Sequence, residues 1–203
     1  MISEFKFFSE LKFFLKNNES FVVFKKPSHN KIVCHQGDVI SGQIDDIDNN
    51  KGFLFMPFDL NEDGYFLIPK ITIETKFRLK VNNNKVNEVS IKDFNSKKNS
   101  YIKFINETIY NINSSELEKV VCSSVFNVKL NSKSCIEYFK KLIRLNHDAF
   151  CYLFYHPQIG IWIGASPEKL LNLNNDVVTT FALAATKKKM NQSWTDKEFR
   201  EQK

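Results

Sequence analysis

Apolar residues in the first part of the chain recur with spacings that predict both a helix and strands. Between residues 3 and 16 they follow one another at intervals of three and four, at Phe5, Phe8, Leu11, Phe14 and Leu15. These intervals place side chains on one face of an amphipathic helix. Ser3 is a residue type that commonly caps a helix N-terminus. We therefore expect an amphipathic helix over residues 3–16.

Short apolar runs between polar turns predict strands in the rest of this part. The runs cover residues 21–24, 31–34, 52–55, 65–68 and 71–79. Three asparagines at positions 82–84 predict a turn or loop. The pattern is typical of antiparallel strands that follow one another in a meander, and no cluster of reactive side chains stands out among them.

The second part of the chain follows a polar connection at residues 94–100. Its apolar pattern predicts a helix around residues 101–109, a strand over residues 119–130, a helix over residues 134–145, and hairpins over residues 150–164 and 170–184. Thr195 is the expected cap of a further helix. We therefore divide the chain into an N-terminal α+β subdomain, residues 1–96, and a second domain, residues 97–203.

Composition places the chain among ordinary globular proteins and narrows the classes of partner that it is expected to bind. Of the 203 residues, 42% are hydrophobic and 20 are phenylalanine, which argues for a packed, aromatic core. The net charge is +6, but the chain has 26 scattered lysines and only 3 arginines. This composition favours a solvated surface over a nucleic-acid-binding surface. No apolar run is long enough for a membrane span, and the four cysteines lack zinc or disulfide spacing. We expect a cytoplasmic protein with no nucleic-acid or membrane partner, and its oligomeric state stays open.

Four segments of the second part resemble motifs of one enzyme family. Residues 118–123 resemble the "KVVLSR" strand of chorismate-utilising enzymes, and residues 164–171 resemble their "GASPERLL" segment. Residues 182–186 are similar to the "ALAGT" segment, and residues 197–202 are similar to a "KEKEEH" helix start. One such segment would be weak support, but all four occur in the family's order over residues 98–203.

The resemblance implies an α+β architecture with an antiparallel two-sheet chorismate-binding fold and flanking helices, similar to anthranilate synthase component I. Within this fold, residues 97–203 correspond to the first part of the catalytic domain. The family's C-terminal half has no counterpart in this sequence, and a helix that starts at Thr195 reaches only about two turns before Lys203. We therefore expect an incomplete fold and a chain with little turnover alone.

Within the family the chain looks most like isochorismate synthases, which add water at C2 of chorismate and remove the C4 hydroxyl. The resemblance places the general base at Lys119 and the general acid at Glu168. A lysine serves as a base only when its surroundings lower its pKa, and a glutamate holds a proton only when they raise it. Without the resemblance, a surface lysine and a first-turn helix glutamate would be the ordinary interpretations.

Lys119 also distinguishes among family members. Anthranilate synthases, which use ammonia as the nucleophile, usually carry glutamine at this position, so lysine favours water. Salicylate synthases share the lysine and add a pyruvate elimination, which the sequence leaves open. Two further alternatives also stay open: a non-catalytic remnant that binds chorismate weakly or not at all, and an anthranilate-type subunit. The pathway served would be menaquinone or siderophore biosynthesis.

The resemblance also implies magnesium and a carboxylate-binding loop. Glu201 matches the first metal-binding glutamate of the family, although Gln202 replaces the usual histidine. Carboxylate oxygens are ligands that Mg²⁺ prefers. The loop that holds a substrate carboxylate corresponds to Ala184, Ala185 and Thr186. Ala185 replaces the family's glycine, and its Cβ restricts close approach of the substrate to the backbone.

Overall fold

A computed structural model describes residues 1–43, 51–59, 61–77, 94–125, 127, 134–180 and 195–196 of the chain. The chain divides into two compact units. The first unit comprises Met1–Val81 together with Ser134–Lys203, and the second comprises Asn82–Lys133.

Three helices and eight strands are found in the described residues. In chain order they are α1 (Glu4–Lys16), β1 (Phe21–Lys25), β2 (Lys31–Gly42), β3 (Phe53–Phe55), β4 (Gly64–Lys76), α2 (Phe94–Asn113), α3 (Cys135–Leu145), β5 (Phe150–His156), β6 (Gly160–Ser166), β7 (Asn172–Asn174) and β8 (Val177–Thr179). Helix α2 belongs to the second unit and the others to the first. None of the helices within the described ranges is long and apolar enough to cross a bilayer.

Six strands of the first unit form one antiparallel sheet in the order β3-β4-β2-β1-β5-β6. Strand β1 lies inside the sheet, between β2 and β5. Strands β7 and β8 form a separate two-stranded hairpin. The predicted α+β architecture is confirmed. The sheet takes strands from both sides of the predicted boundary at residues 96/97, and that division of the chain stays a prediction.

Helix α1 confirms the predicted helix, and its buried face matches the predicted one at Phe8, Leu11 and Phe14 but not at Phe5. The Ser3 hydroxyl accepts a hydrogen bond from the Lys6 amide at 3.3 Å, as expected of an N-cap. Phe5 was assigned to the same face as Phe8 and Leu11, but it is 85% exposed, and Phe7 is fully buried instead. The two phenylalanines lie about 200° apart around the helix, so only one of them can face the sheet.

Helices α1 and α3 cover one face of the sheet and enclose the main core. Its buried members include Phe7, Leu11, Phe14, Phe21, Val23, Ile32, Cys34, Ile136, Phe139, Ile143, Cys151 and Leu153. Alternation along β1 and β5 sends every second residue to this face. The predicted aromatic core is confirmed by these buried rings.

The opposite face of the sheet is packed with aromatic rings. The Phe24 ring stacks between Phe53 on β3 and Phe150 on β5, with ring centroids 6.2 and 5.9 Å away. Phe55 on one edge strand contacts Trp162 on the other edge strand, with centroids 5.4 Å apart. Because β3 and β6 stand at opposite ends of the strand order, these contacts mean that the sheet curls around its aromatic face.

Strand β4 joins two runs that the sequence pattern separated. The expected break lay near Pro69, which has no N–H for the sheet ladder. The pairing register between β2 and β4 shifts at Gln36/Gly37, where Gly37 lies opposite Pro69 and Lys70 is left over. A Cβ at Gly37 would collide with the Ile68 carbonyl oxygen. The bulge therefore accommodates the proline, and the strand continues through it.

A buried lysine joins β1 to the loop that precedes β5. Lys25 is fully buried, and its Nζ donates hydrogen bonds to the carbonyl oxygens of Lys26 at 3.1 Å, His147 at 2.6 Å and Ala149 at 3.2 Å. Burial lowers the pKa of Lys25, an effect that Cys151 and Asp148 oppose. Three carbonyl acceptors satisfy all three donors of the ammonium group, so this burial is compatible with a stable core.

We expect Lys25→Met to destabilise the protein by about 1–3 kcal/mol, because it leaves buried carbonyl oxygens without their donor. Chemical denaturation measures the free energy of unfolding. Lys26→Met is the matched control, since Lys26 is exposed, and it should change stability by less than about 0.5 kcal/mol. Equal effects of the two substitutions would contradict a special role for Lys25.

Candidate functional site

Strand β6 carries the segment that leads to Glu168. It pairs with β5 along its whole length, from Gly160 opposite His156 to Ser166 opposite Phe150. Gly164 faces Tyr152, and a Cβ at this position would collide with the Tyr152 ring. Glycine is therefore needed at this point of the segment for a local packing reason.

Glu168 lies immediately beyond the end of β6. Pro167 follows the last strand residue, and the Ser166 hydroxyl donates a hydrogen bond to the Glu168 carbonyl oxygen at 2.9 Å. This bond closes a short turn of the backbone around the proline. The Glu168 side chain itself is exposed. A carboxyl group in this position is accessible to a small molecule from solvent.

The hairpin β7–β8 follows Glu168 and was predicted from the sequence. Asn175 and Asp176 occupy its turn with φ values of 46° and 64°, the left-handed region that asparagine and aspartate tolerate better than most residues. The Thr180 hydroxyl donates to the Leu170 carbonyl oxygen at 2.8 Å. Several large apolar side chains around the hairpin are exposed: Leu170, Leu171, Leu173, Val177 and Val178.

Lys119 belongs to the second unit and lies in the segment that follows α2. Its side chain is exposed. Contacts of Cys122 hold the segment to α2. The Tyr101 hydroxyl donates to the Cys122 carbonyl oxygen at 3.4 Å, and the Cys122 thiol lies 3.9 Å from the Thr108 hydroxyl. Lys119 is thus presented on the surface of its unit beside a helix.

The prediction of a strand over residues 119–130 is wrong for the residues of this range that the structure describes. Residues 119–125 and 127 have no regular secondary structure. Val121 and Val125 are 85% and 83% exposed, although their residue types favour strands. A strand requires a neighbouring strand for its backbone hydrogen bonds, and the described residues of this unit contain only a helix beside the segment.

The remaining predicted site residues lie outside the described part of the chain. These are Ala184, Ala185 and Thr186 of the carboxylate-binding loop and the metal ligand Glu201. Within the described ranges, no group of three or more His, Cys, Asp or Glu side chains could hold a metal ion. Carboxylate is the right donor type for magnesium, but the described residues do not supply a complete set of ligands.

Three surface grooves lie on the described residues, and neither Lys119 nor Glu168 lines any of these three. One follows a single face of α2, from Asn99 to Asn111. A second is bordered by the N-terminal residues, the β1–β2 turn and the end of β4. The third lies between α1 and α3.

Comparison with known proteins identifies the family. A family profile described as "Chorismate binding enzyme" matches residues 67–202, about two thirds of the chain. The chain therefore belongs to the chorismate-binding enzyme family. The match begins within β4 and includes both Lys119 and Glu168. No curated protein and no solved structure showed significant similarity.

Thiol modification tests the environment that the structure assigns to the segment around Lys119. Cys122 is partly exposed, whereas Cys34 is buried and burial raises its pKa. Because the thiolate is the reactive form, we expect iodoacetamide to label Cys122 in the folded protein and Cys34 only after denaturation. Mass spectrometry of the peptides measures both. Equal protection of Cys122 and Cys34 would show that the segment is covered, as a strand within a sheet would be.

Proposed function

We propose that the protein catalyses the conversion of chorismate to isochorismate. Membership of the chorismate-binding enzyme family supports the substrate class. The observation that carries the reaction type is Lys119, a lysine in the segment where ammonia-using members of the resembled family usually have glutamine. A lysine can deprotonate water, which a glutamine cannot do.

The proposed reaction is an addition of water coupled to loss of water. The neutral amine of Lys119 takes one proton from water while the oxygen attacks C2 of the ring. The double bond shifts, the C4–O bond breaks, and the carboxyl group of Glu168 gives its proton to the departing hydroxyl. Water is consumed and released in equal amounts, and proton exchange with solvent restores both side chains.

The backbone around Glu168 supports a fixed starting point for the proposed acid. The Ser166–Glu168 hydrogen bond and Pro167 restrict the backbone that carries the carboxyl group. A restricted backbone lowers the number of orientations from which the acid must reach the leaving group, which is favourable for proton transfer. The exposed carboxyl group is also free of ion pairs among the described salt bridges, so a substrate need not displace a partner cation.

The substrate carries two carboxylates, and we propose that the loop Ala184–Thr186 binds one of them through backbone N–H groups and the Thr186 hydroxyl. Magnesium, which Glu201 would help to hold, would neutralise substrate charge when bound. A single carboxylate does not make a magnesium site. The methyl group of Ala185 is expected to weaken substrate binding relative to glycine.

Turnover of chorismate tests the proposal. In the presence of magnesium, long incubation with a high concentration of the protein should yield isochorismate that chromatography detects even when turnover is slow, and Lys119→Met and Glu168→Gln should each lower kcat/KM by about 100-fold or more. Adjacent exposed residues provide matched controls, because Glu118→Gln and Lys169→Met remove a charge without removing either proposed catalytic group. Wild-type kinetics in the Lys119→Met or Glu168→Gln variant would contradict the assigned role of that residue.

The products decide among the alternatives. Release of pyruvate with salicylate would identify a salicylate synthase, which shares the lysine. Ammonia-dependent anthranilate would identify the nitrogen-transferring class and overturn the role of Lys119. A second candidate, a non-catalytic chorismate-binding protein, is favoured by Ala185, and it predicts no product even when calorimetry detects binding of chorismate.

Removal of magnesium gives a separate prediction. Treatment with a chelator should abolish isochorismate formation, and added Mg²⁺ should restore it. Glu201→Gln removes one proposed anionic ligand, so the variant should need a higher Mg²⁺ concentration for half-maximal rate. Asp196 lies nearby in the sequence, and Asp196→Asn is the control. Activity that is unaffected by the chelator would contradict the proposed metal requirement.

A further inference from the structure

The outward face of α1 presents two aromatic rings that the core does not bury. Phe5 is 85% exposed and Phe13 is 54% exposed, whereas Phe7 and Leu11 on the other side of the helix are fully buried. Phe13 lies eight positions after Phe5, which corresponds to about 12 Å along the helix axis. One exposed ring is ordinary on a protein surface. Two rings on the same outward face form a larger exposed apolar surface than one ring does.

Lysines flank the two rings. Lys6, Lys12 and Lys16 are all exposed. In a view down the helix axis, with about 100° per residue, Lys6 and Lys12 lie on opposite sides of the direction midway between the two rings. Lys16 lies close to that direction. The acidic residues of this helix are only partly exposed. The face therefore has three positive charges around exposed aromatic side chains, and its charge is complementary to an anionic partner.

A shallow groove of about 270 Å³ lies beside this face, between α1 and α3. Its lining residues are Glu4, Phe5, Phe8, Ser9, Lys12 and Lys140. The Lys140 ammonium lies 4.3 Å from the centroid of the Phe8 ring and forms an ion pair with Glu137 at 3.0 Å. Within the groove, Lys140 is already paired with Glu137 and Glu4 adds a carboxylate, so the exposed Lys12 beside Phe5 is the lysine that can meet an anionic headgroup such as phosphate.

We propose that the outward face of α1, defined by Phe5, Lys6, Lys12, Phe13 and Lys16, docks on an anionic phospholipid surface. The face is the convex side of a helix, and its rings are separated by polar residues. A deformable headgroup layer can accommodate such a shape, with lysines paired to lipid phosphates and rings inserted between headgroups. This surface contact needs no membrane span, so it differs from the expectation, drawn from the lack of a long apolar run, that membranes are not a partner.

Vesicle flotation with the whole chain tests the proposal. The protein should float with vesicles of phosphatidylcholine and phosphatidylglycerol, should float poorly with phosphatidylcholine alone, and should be released by salt. Each lysine is expected to contribute about fivefold to the partition coefficient, so the variant with Lys6, Lys12 and Lys16 changed to Gln should bind about 100-fold more weakly. Phe5→Ser combined with Phe13→Ser should weaken binding about tenfold or more.

Controls separate the proposal from misfolding and from general charge effects. Phe58→Ser removes an exposed ring elsewhere, and Lys26→Gln with Lys51→Gln and Lys141→Gln removes three exposed charges outside this face. These variants should float with at least half of the wild-type efficiency, and circular dichroism should show that all variants fold. Absence of flotation, equal loss in the control variants, or binding to an acidic polypeptide without binding to vesicles would overturn the proposal.

Discussion

The position of β1 between β2 and β5 is the constraint on which the first unit depends. Its pairing with β5 brings together residues that are more than a hundred positions apart in the sequence, as the bond from Lys25 to His147, 122 residues away, illustrates. Closing so long a loop costs conformational entropy. The apolar side chains that β1 sends to both faces of the sheet offset this cost, since Val22 and Val23 are both fully buried.

The proposed acid depends on this pairing through a short series of local steps. Strand β5 lies beside β1, β6 returns along β5, and Glu168 follows two residues after the end of β6. Gly164 leaves room for the Tyr152 ring on the way. The Ser166 hydroxyl then holds the carbonyl group of Glu168. The backbone of Glu168 is therefore positioned by the end of the sheet, and its side chain is exposed.

Local patterns in the sequence were sufficient for most elements of the first unit, but not for features that depend on distant contacts. The helix at α1 and the β7–β8 hairpin follow from spacing and turn residues. Phe5 was misassigned because Phe5 and Phe7 can each be included in an apolar helical pattern. Only packing against the sheet decides which of the two rings is buried. Two of the three acceptors of Lys25 are carbonyl oxygens of a loop far along the chain, so no residue pattern near Lys25 predicts its burial. The prediction of a strand at Lys119 was wrong because residues with a high strand propensity still need a neighbouring strand for their backbone hydrogen bonds. Motif resemblance, in contrast, identified the chorismate-binding family without any of these contacts.

Water is the nucleophile in the reaction that we propose for this member of the chorismate-binding family. The most direct measurement is mass spectrometry of the product formed from chorismate in water enriched in heavy oxygen. Attack by water should give isochorismate with one labelled oxygen at C2 and loss of the original C4 hydroxyl. An unlabelled product, or a product that carries nitrogen at C2 when ammonia is present, would contradict it.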